Sequence, residues 1–350
     1  MSYKQTKLWT VDKLVEKEES ILHIDEAAKL LKEGELVAFP TETVYGLGAN
    51  ALDEDAVRKI FTAKGRPSDN PLIVHIAEEV QLQDLVLEVS DMAKKLMAQF
   101  WPGPLTLIFK KKQAVASSVT AGLDTVAVRM PDHPVARQLL QAASVPVAAP
   151  SANLSGKPSP TSASHVYHDL NGRIAGIVDG GQTGVGLEST VLDCSKQMPI
   201  LYRPGGVTKE EIEAVIGKII VDPSLRSNDE TPLSPGMKYT HYSPSGTLYL
   251  VPEKACMDNL VKNAMAKGKR VGILITEENK ADYGADVTVV CGSEADLQTV
   301  ANSLYDSLRT FDQENAEIIY AQTFETTGLG MAIMNRLEKA AGGRYIFNKD

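Results

Sequence analysis

Between residues 222 and 246 the hydrophobic periodicity of this chain stops. The stretch contains Pro223, Pro232, Pro235 and Pro244 and almost no alternation of apolar and polar residues. Proline has no backbone N–H and a fixed φ, so the segment continues neither a helix nor an interior strand. An irregular segment of this length is uncommon inside a compact domain. It divides the 350 residues into a first domain over 1–221, a linker over 222–246 and a second domain over 247–350, a division that suits a chain of this length.

Beyond the linker the pattern is regular. Apolar runs at Thr247–Val251, Arg270–Thr276, Asp286–Cys291 and Glu317–Gln322 alternate with helical periodicity near Asp258–Ala266, Glu294–Phe311 and Met331–Ala341. Such alternation predicts a small parallel sheet covered by helices. Before the linker, helices are expected at Asp25–Glu33, Asp53–Lys64, Ser90–Phe100, Pro134–Ala143 and Thr208–Ile216, the last with Thr208 and Glu211 at capping-box spacing. Strands are expected at Leu36–Phe39, Leu72–Ile76, Leu105–Phe109, Thr125–Arg129, Val145–Ala149, Ile174–Val178 and Thr190–Leu192. The fold class is α/β.

Composition narrows the function. A net charge of -9 argues against a protein that coats nucleic acid or an anionic membrane, because phosphate binding is driven by clustered Lys and Arg. The three cysteines, Cys194, Cys256 and Cys291, are far apart and form no CxxC, which speaks against a disulfide framework or zinc site. His165 and His168 read as one face of a surface helix. The N-terminus opens no long apolar run and no stretch is long enough to span a bilayer, so a cytoplasmic protein with no membrane partner is expected.

Four loops at strand ends carry the chemistry. Phe39 to Gly48 reads Phe-Pro-Thr-Glu-Thr-Val-Tyr-Gly-Leu-Gly and offers three hydroxyls, the Glu42 carboxylate and two glycines. Lys64 and Arg66, beside Ser68 and Asn70, suit a polyphosphate, with Arg as a planar fork and Lys as a point charge. Ser151, Asn153, Ser155 and Ser159 follow the apolar run ending at Ala149, at the strand end where open α/β sheets bind ligands. The segment 179–190 holds Gly180, Gly181, Gly184 and Gly186, whose N–H groups could line an anion. Taken singly, each loop is equally well a cap, a solvated turn or a Ser/Asn turn. Arg129 and Arg203 close apolar strands, where either a structural ion pair or an anionic substrate meets them. No Ser-His-Asp arrangement, zincin helix or paired-acid motif stands out. The inventory suits a held anionic ligand better than a covalent nucleophile.

Assembled in order, these segments resemble the Sua5/YrdC/YciO family in its two-domain form. The matching pieces are 40–48 (Pro-Thr-Glu-Thr-Val-Tyr-Gly-Leu-Gly), 64–67 with 70–72, 101–106 (Trp-Pro-Gly-Pro-Leu-Thr), 149–156 (Ala-Pro-Ser-Ala-Asn-Leu-Ser-Gly), 188–191, 203–205 and 235–242. The resemblance implies a twisted mixed-sheet YrdC-like catalytic domain with a large concave cavity, followed by a smaller Rossmann-like domain. It implies a nucleotidyltransferase that makes L-threonylcarbamoyladenylate from L-threonine, bicarbonate and ATP, releasing pyrophosphate. The product would pass to the machinery that builds N6-threonylcarbamoyladenosine at tRNA position 37, with no tRNA contact needed for this step. Mg2+ would enter with ATP, with no protein ligand of its own. Carried over by position, L-threonine would meet Thr43, His75, Arg129, Ala149 and Ser189. ATP would meet Arg66, Asn70, Thr125, Ser151, Ser159, Arg203 and Tyr242, and Lys64 with Arg66 would neutralise its phosphates. The end of the linker is expected to fold back as a gate.

Other readings stay open on the residues. An RNA-binding module and a nucleotide sensor without turnover both fit parts of the pattern, against the acidic net charge in the first case. Carbamoyl-adenylate chemistry of hydrogenase maturation uses this domain type with acylphosphatase and zinc-finger modules that this chain lacks. Gly328-Leu-Gly-Met-Ala-Ile reads either as packing of the last helix or as a truncated dinucleotide loop.

Overall fold

The computed structural model describes residues 5–225 and 241–347, which fall into two compact units. The first comprises 5–155 and 159–225, the second 156–158 and 241–347. Most of the expected linker, 226–240, lies outside the described residues, and the expected gate with it.

The first unit contains β1 (Lys7–Thr10), β2 (Val37–Phe39), β3 (Gly46–Asn50), β4 (Ile73–His75), β5 (Leu105–Lys110), β6 (Thr125–Arg129), β7 (Val147–Ala148), β8 (Gly176–Asp179), β9 (Thr190–Asp193), β10 (Ile200–Arg203) and β11 (Ile220–Val221). They form one 11-stranded sheet in the order β1-β8-β2-β3-β7-β4-β6-β5-β9-β10-β11. The pairing is mixed: β4 and β5 both flank β6, one parallel and one antiparallel, and β5 runs parallel to β9. Strands such as Leu-Thr-Leu-Ile-Phe in β5 are buried until Lys110, the near-continuous apolar run of a strand covered on both faces. The helices Glu18–Lys32 and Pro134–Ala143 supply Ile24, Ala27, Leu31, Val135, Leu139 and Leu140 to a core shared with Trp9 and Phe39. Their apolar residues recur at helical spacing, so one face of each enters the core.

Several elements differ from expectation. Gly46–Asn50 is a strand rather than the end of a loop. A Cβ on Gly48 would lie 2.9 Å from Val147 and 3.0 Å from Phe39, so glycine here allows close strand approach and disguises a strand as a turn. The first helix starts at Glu18, earlier than its apolar stripe suggests. Strand β1 sends only Trp9 inward, too little alternation to register. The helix Ala163–Leu170 does carry the two histidines, but His165 is buried and His168 exposed, so they do not share a surface face.

The second unit contains β12 (Thr247–Val251), β13 (Val271–Ile275), β14 (Val287–Val290) and β15 (Ile318–Gln322), all parallel, in the order β12-β15-β13-β14. Helices Met257–Met265, Leu297–Gln313 and Gly328–Ala341 alternate with them. This is the Rossmann-like arrangement that the alternation requires.

Candidate active site

The loop Thr41–Tyr45 is locked to the other expected loops. Leu47 N donates to Pro150 O at 2.7 Å, Ala152 N to Tyr45 O at 2.8 Å and Tyr45 N to Pro160 O at 2.9 Å. From the glycine-rich segment, Gly184 N and Val185 N both donate to Glu42 O, and Gly186 N to Thr43 O. Those amides therefore hold the Thr41–Tyr45 loop, and the expected anion cradle is a zipper between loops instead. Tyr45 fastens the far side: its hydroxyl donates to Gly181 O at 2.7 Å. Burial and the neighbouring Asp179 push the Tyr45 phenol above its ordinary range.

Arg129 ends β6 with its side chain beside this loop. Nη1 donates to Thr43 Oγ1 at 2.9 Å and Nε to Gly103 O at 3.2 Å. Nη2 lies 2.5 Å from Glu42 Oε1. That contact is an ion pair out of line for a hydrogen bond, since neither Glu42 oxygen receives a well-directed N–H. Register sets His75 of β4 directly beside Arg129, on the same face of the sheet. His75 is 4% exposed, its Nδ1 has no hydrogen-bond partner and its ring meets Phe39 edge-on. Burial first, then the charges of Arg129 and Arg203, push its pKa down to about 3, so the ring is neutral at physiological pH.

Ser189 and Arg203 form the second half of the site. Arg203 donates through Nε to Ser189 O at 3.0 Å and through Nη2 to Ser189 Oγ at 3.1 Å, and Ser189 Oγ lies 2.8 Å from Thr106 Oγ1. A Cβ on Gly205 would sit 2.3 Å from Glu188 O, so the Arg203-Pro204-Gly205 turn can press against the backbone at Glu188 and Ser189 only with glycine there. Between this half and the far end of β6 the face carries an apolar cluster of Ile73, Ile108, Ala127, Val191 and Tyr202. Thr125 lies four residues from Arg129, about 13 Å along β6, and lines a cavity of about 410 Å³ with Ile108, Lys110, Asp193, Lys196 and Tyr202.

The remaining expected residues make contacts of their own. Lys64 is 3% exposed. Its ammonium donates to Ser151 O, Asn153 O (2.5 Å each) and Asn153 Oδ1 (3.2 Å), clamping the loop after Ala149. Arg66 Nη2 reaches Asn70 O at 3.4 Å, and Asn70, 2% exposed, has an Oδ1 without a hydrogen-bond partner. Ser151 Oγ donates to Asn153 Oδ1. Ser159 is fully buried and donates to Glu188. Ala149 N is bonded to Ile73 O. Tyr242 belongs to the second unit, where its ring packs on Tyr305 at 5.2 Å. Thr106 and Glu188 also join the site; in the sequence their one signal is position inside the matched segments 101–106 and 188–191, beside more conspicuous neighbours.

Comparison with known proteins adds the family. The Sua5/YciO/YrdC family model, described as "Telomere recombination", matches residues 29–205, and the model of the threonylcarbamoyl-AMP synthase C-terminal domain matches 207–342. This chain belongs to the Sua5/YciO/YrdC family. Threonylcarbamoyl-AMP synthase of Bacillus subtilis is 58% identical over 98% of this chain and 99% of its own. That of Pyrococcus abyssi is 48% identical over 91% of this chain and 94% of its own. The crystal structure of P. abyssi Sua5 complexed with L-threonine matches with a TM-score of 0.92 at 47% identity, over 97% of this chain and 99% of that one. As a Sua5/YciO/YrdC member with the C-terminal domain, the chain has the long, two-domain form. Among the described residues no helix is long and apolar enough to cross a membrane.

Proposed function

We propose that this chain is a threonylcarbamoyl-AMP synthase that joins L-threonine, bicarbonate and ATP and releases pyrophosphate. The observation that carries the reading is one sheet face where His75, Arg129 and Thr43 stand beside Ser189 and Arg203. The buried Arg129 guanidinium there donates to two neutral oxygens and lies near one carboxylate, and Nδ1 of the buried His75 has no hydrogen-bond partner. Buried cations and unpaired polar atoms of this kind call for an anionic, hydrogen-bonding ligand. The names of the relatives and the threonine-bound P. abyssi structure support the same reading.

Thr43, His75, Arg129, Ser189 and the backbone at Ala149 are assigned to L-threonine. Arg66, Asn70, Ser151 and Arg203 are assigned to ATP, with Thr125 and the apolar cluster at its base end. Lys64 and Ser159 act by holding the loops that bear these groups. The threonine amine attacks the bicarbonate carbon, a water leaves, and the carbamate oxygen then attacks the α-phosphorus in line as pyrophosphate departs. The protein contributes position and fixed charge. Mg2+ would travel on the ATP phosphates and offset their charge. The product would then serve the N6-threonylcarbamoyladenosine modification of tRNA, completed by other proteins, in the cytoplasm.

Pyrophosphate release from ATP tests the reading, with threonine and bicarbonate each omitted in turn. Dependence on both is expected. Release without threonine, or none at all, overturns it.

A further inference from the structure

We propose that Thr41 is a positioning residue that sets the direction of hydrogen bonding in the threonine pocket, so that Thr43 offers the substrate a lone pair and not a proton. The inference rests on the functional reading above and deepens it.

The direction follows from which atoms can donate. A guanidinium has N–H groups and no acceptor, so Arg129 Nη1 donates to Thr43 Oγ1 at 2.9 Å. A carbonyl only accepts, so Thr41 directs its single hydroxyl proton to Val44 O at 2.7 Å. Thr41 Oγ1 and Thr43 Oγ1 lie 2.8 Å apart. Since the Thr41 proton is already engaged, Thr43 is the donor in that pair. The relay therefore runs Arg129 to Thr43 to Thr41 to Val44 O. The amides of Thr43 and Val44 also point at Thr41 Oγ1, at 3.2 and 3.3 Å, and share its second lone pair, the first being taken by the Thr43 hydroxyl. All three residues that set the direction, Arg129, Thr43 and Thr41, are 3% exposed or less, so water does not scramble it.

A hydroxyl has one proton and two lone pairs. Thr43 has given its proton to Thr41 and one lone pair to Arg129, and one lone pair remains. It can meet only a donor of the amino acid, an amine N–H or the side-chain O–H. The substrate carboxylate must go to donors, and the Arg129 guanidinium has N–H groups beyond those facing Gly103, Thr43 and Glu42. An amine that donates to Thr43 keeps its own lone pair for the bicarbonate carbon.

Steady-state pyrophosphate release by Thr41→Ala, Thr41→Ser, Thr43→Ala and the double alanine variant tests this. Thr41→Ala frees the Thr43 proton and is expected to raise the KM for L-threonine about tenfold, with the KM for ATP changed less than about twofold. Thr41→Ser keeps the relay and should match the wild type. In the Thr43→Ala background, Thr41→Ala should add less than about twofold, because the two act through one bond. Should Thr41→Ala fail to fold, Thr41→Val makes the same test with the shape retained. Multiplying effects, an equal rise in both KM values, or a Thr41→Ser variant as impaired as Thr41→Ala each overturns the inference. An inactive wild type would instead strike the functional reading.

Discussion

Removing the Glu42 carboxylate should destabilise the first unit while weakening threonine binding. Glu42 Oε1 lies 2.5 Å from Arg129 Nη2, with the two side chains 13% and 4% exposed. In Glu42→Ala the guanidinium stays buried, facing only the neutral oxygens of Gly103 and Thr43. Breaking a buried pair by deleting one partner costs about 3–5 kcal/mol. The lower end applies here, because Arg129 keeps those two acceptors and the contact is out of line for a hydrogen bond. A loss of about 3 kcal/mol corresponds to a fall in Tm of about 6–12 °C for a unit of this size. Urea unfolding followed by circular dichroism would measure it. The double variant Glu42→Ala/Arg129→Met removes the stranded charge and should recover part of the loss. A Glu42→Ala loss under about 1 kcal/mol would place the pair with solvent-exposed ones and refute the reasoning. So would a double variant less stable than the sum of its parts.

Two further predictions follow from the same geometry. His75 has a folded pKa of about 3 against an ordinary 6.5, so between those values the unfolded chain holds more protons than the folded one. The stability contributed by the neutral ring is complete above about pH 6.5 and is lost as pH falls toward 3; His75→Gln should flatten the stability curve over that window, and an unchanged slope in urea midpoints would count against the assignment. Lys64→Met strands the carbonyls of Ser151 and Asn153, so amide exchange across 150–155 should quicken and the KM for ATP rise about tenfold; exchange as slow as in the wild type would rule out the clamp.

What the sequence determined by itself is the periodic and the local. The parallel second unit was legible because alternating strands and helices with short connections admit few arrangements, and β12 and β6 start and stop where their apolar runs do. The Thr208–Glu211 capping box was legible because it needs only neighbours in the chain, and both of its bonds are present. The family was legible because the residue order of these loops matches it. What only the tertiary structure decided is how donors and acceptors are shared out. A glycine N–H can face an anion or another loop's carbonyl, and composition cannot distinguish these; here Gly184 and Gly186 bind the carbonyls of Glu42 and Thr43. Lys64 reads as a solvated or ligand-facing point charge, and only the fold sets its ammonium on three loop oxygens. Gly46–Asn50 reads as a turn until Val147 and Phe39 are seen against it. Hydrogen bonds join residues far apart in the chain, 86 positions for Arg129 and Thr43 and 136 for Tyr45 and Gly181. Their direction depends on every partner at once, which only the folded chain assembles.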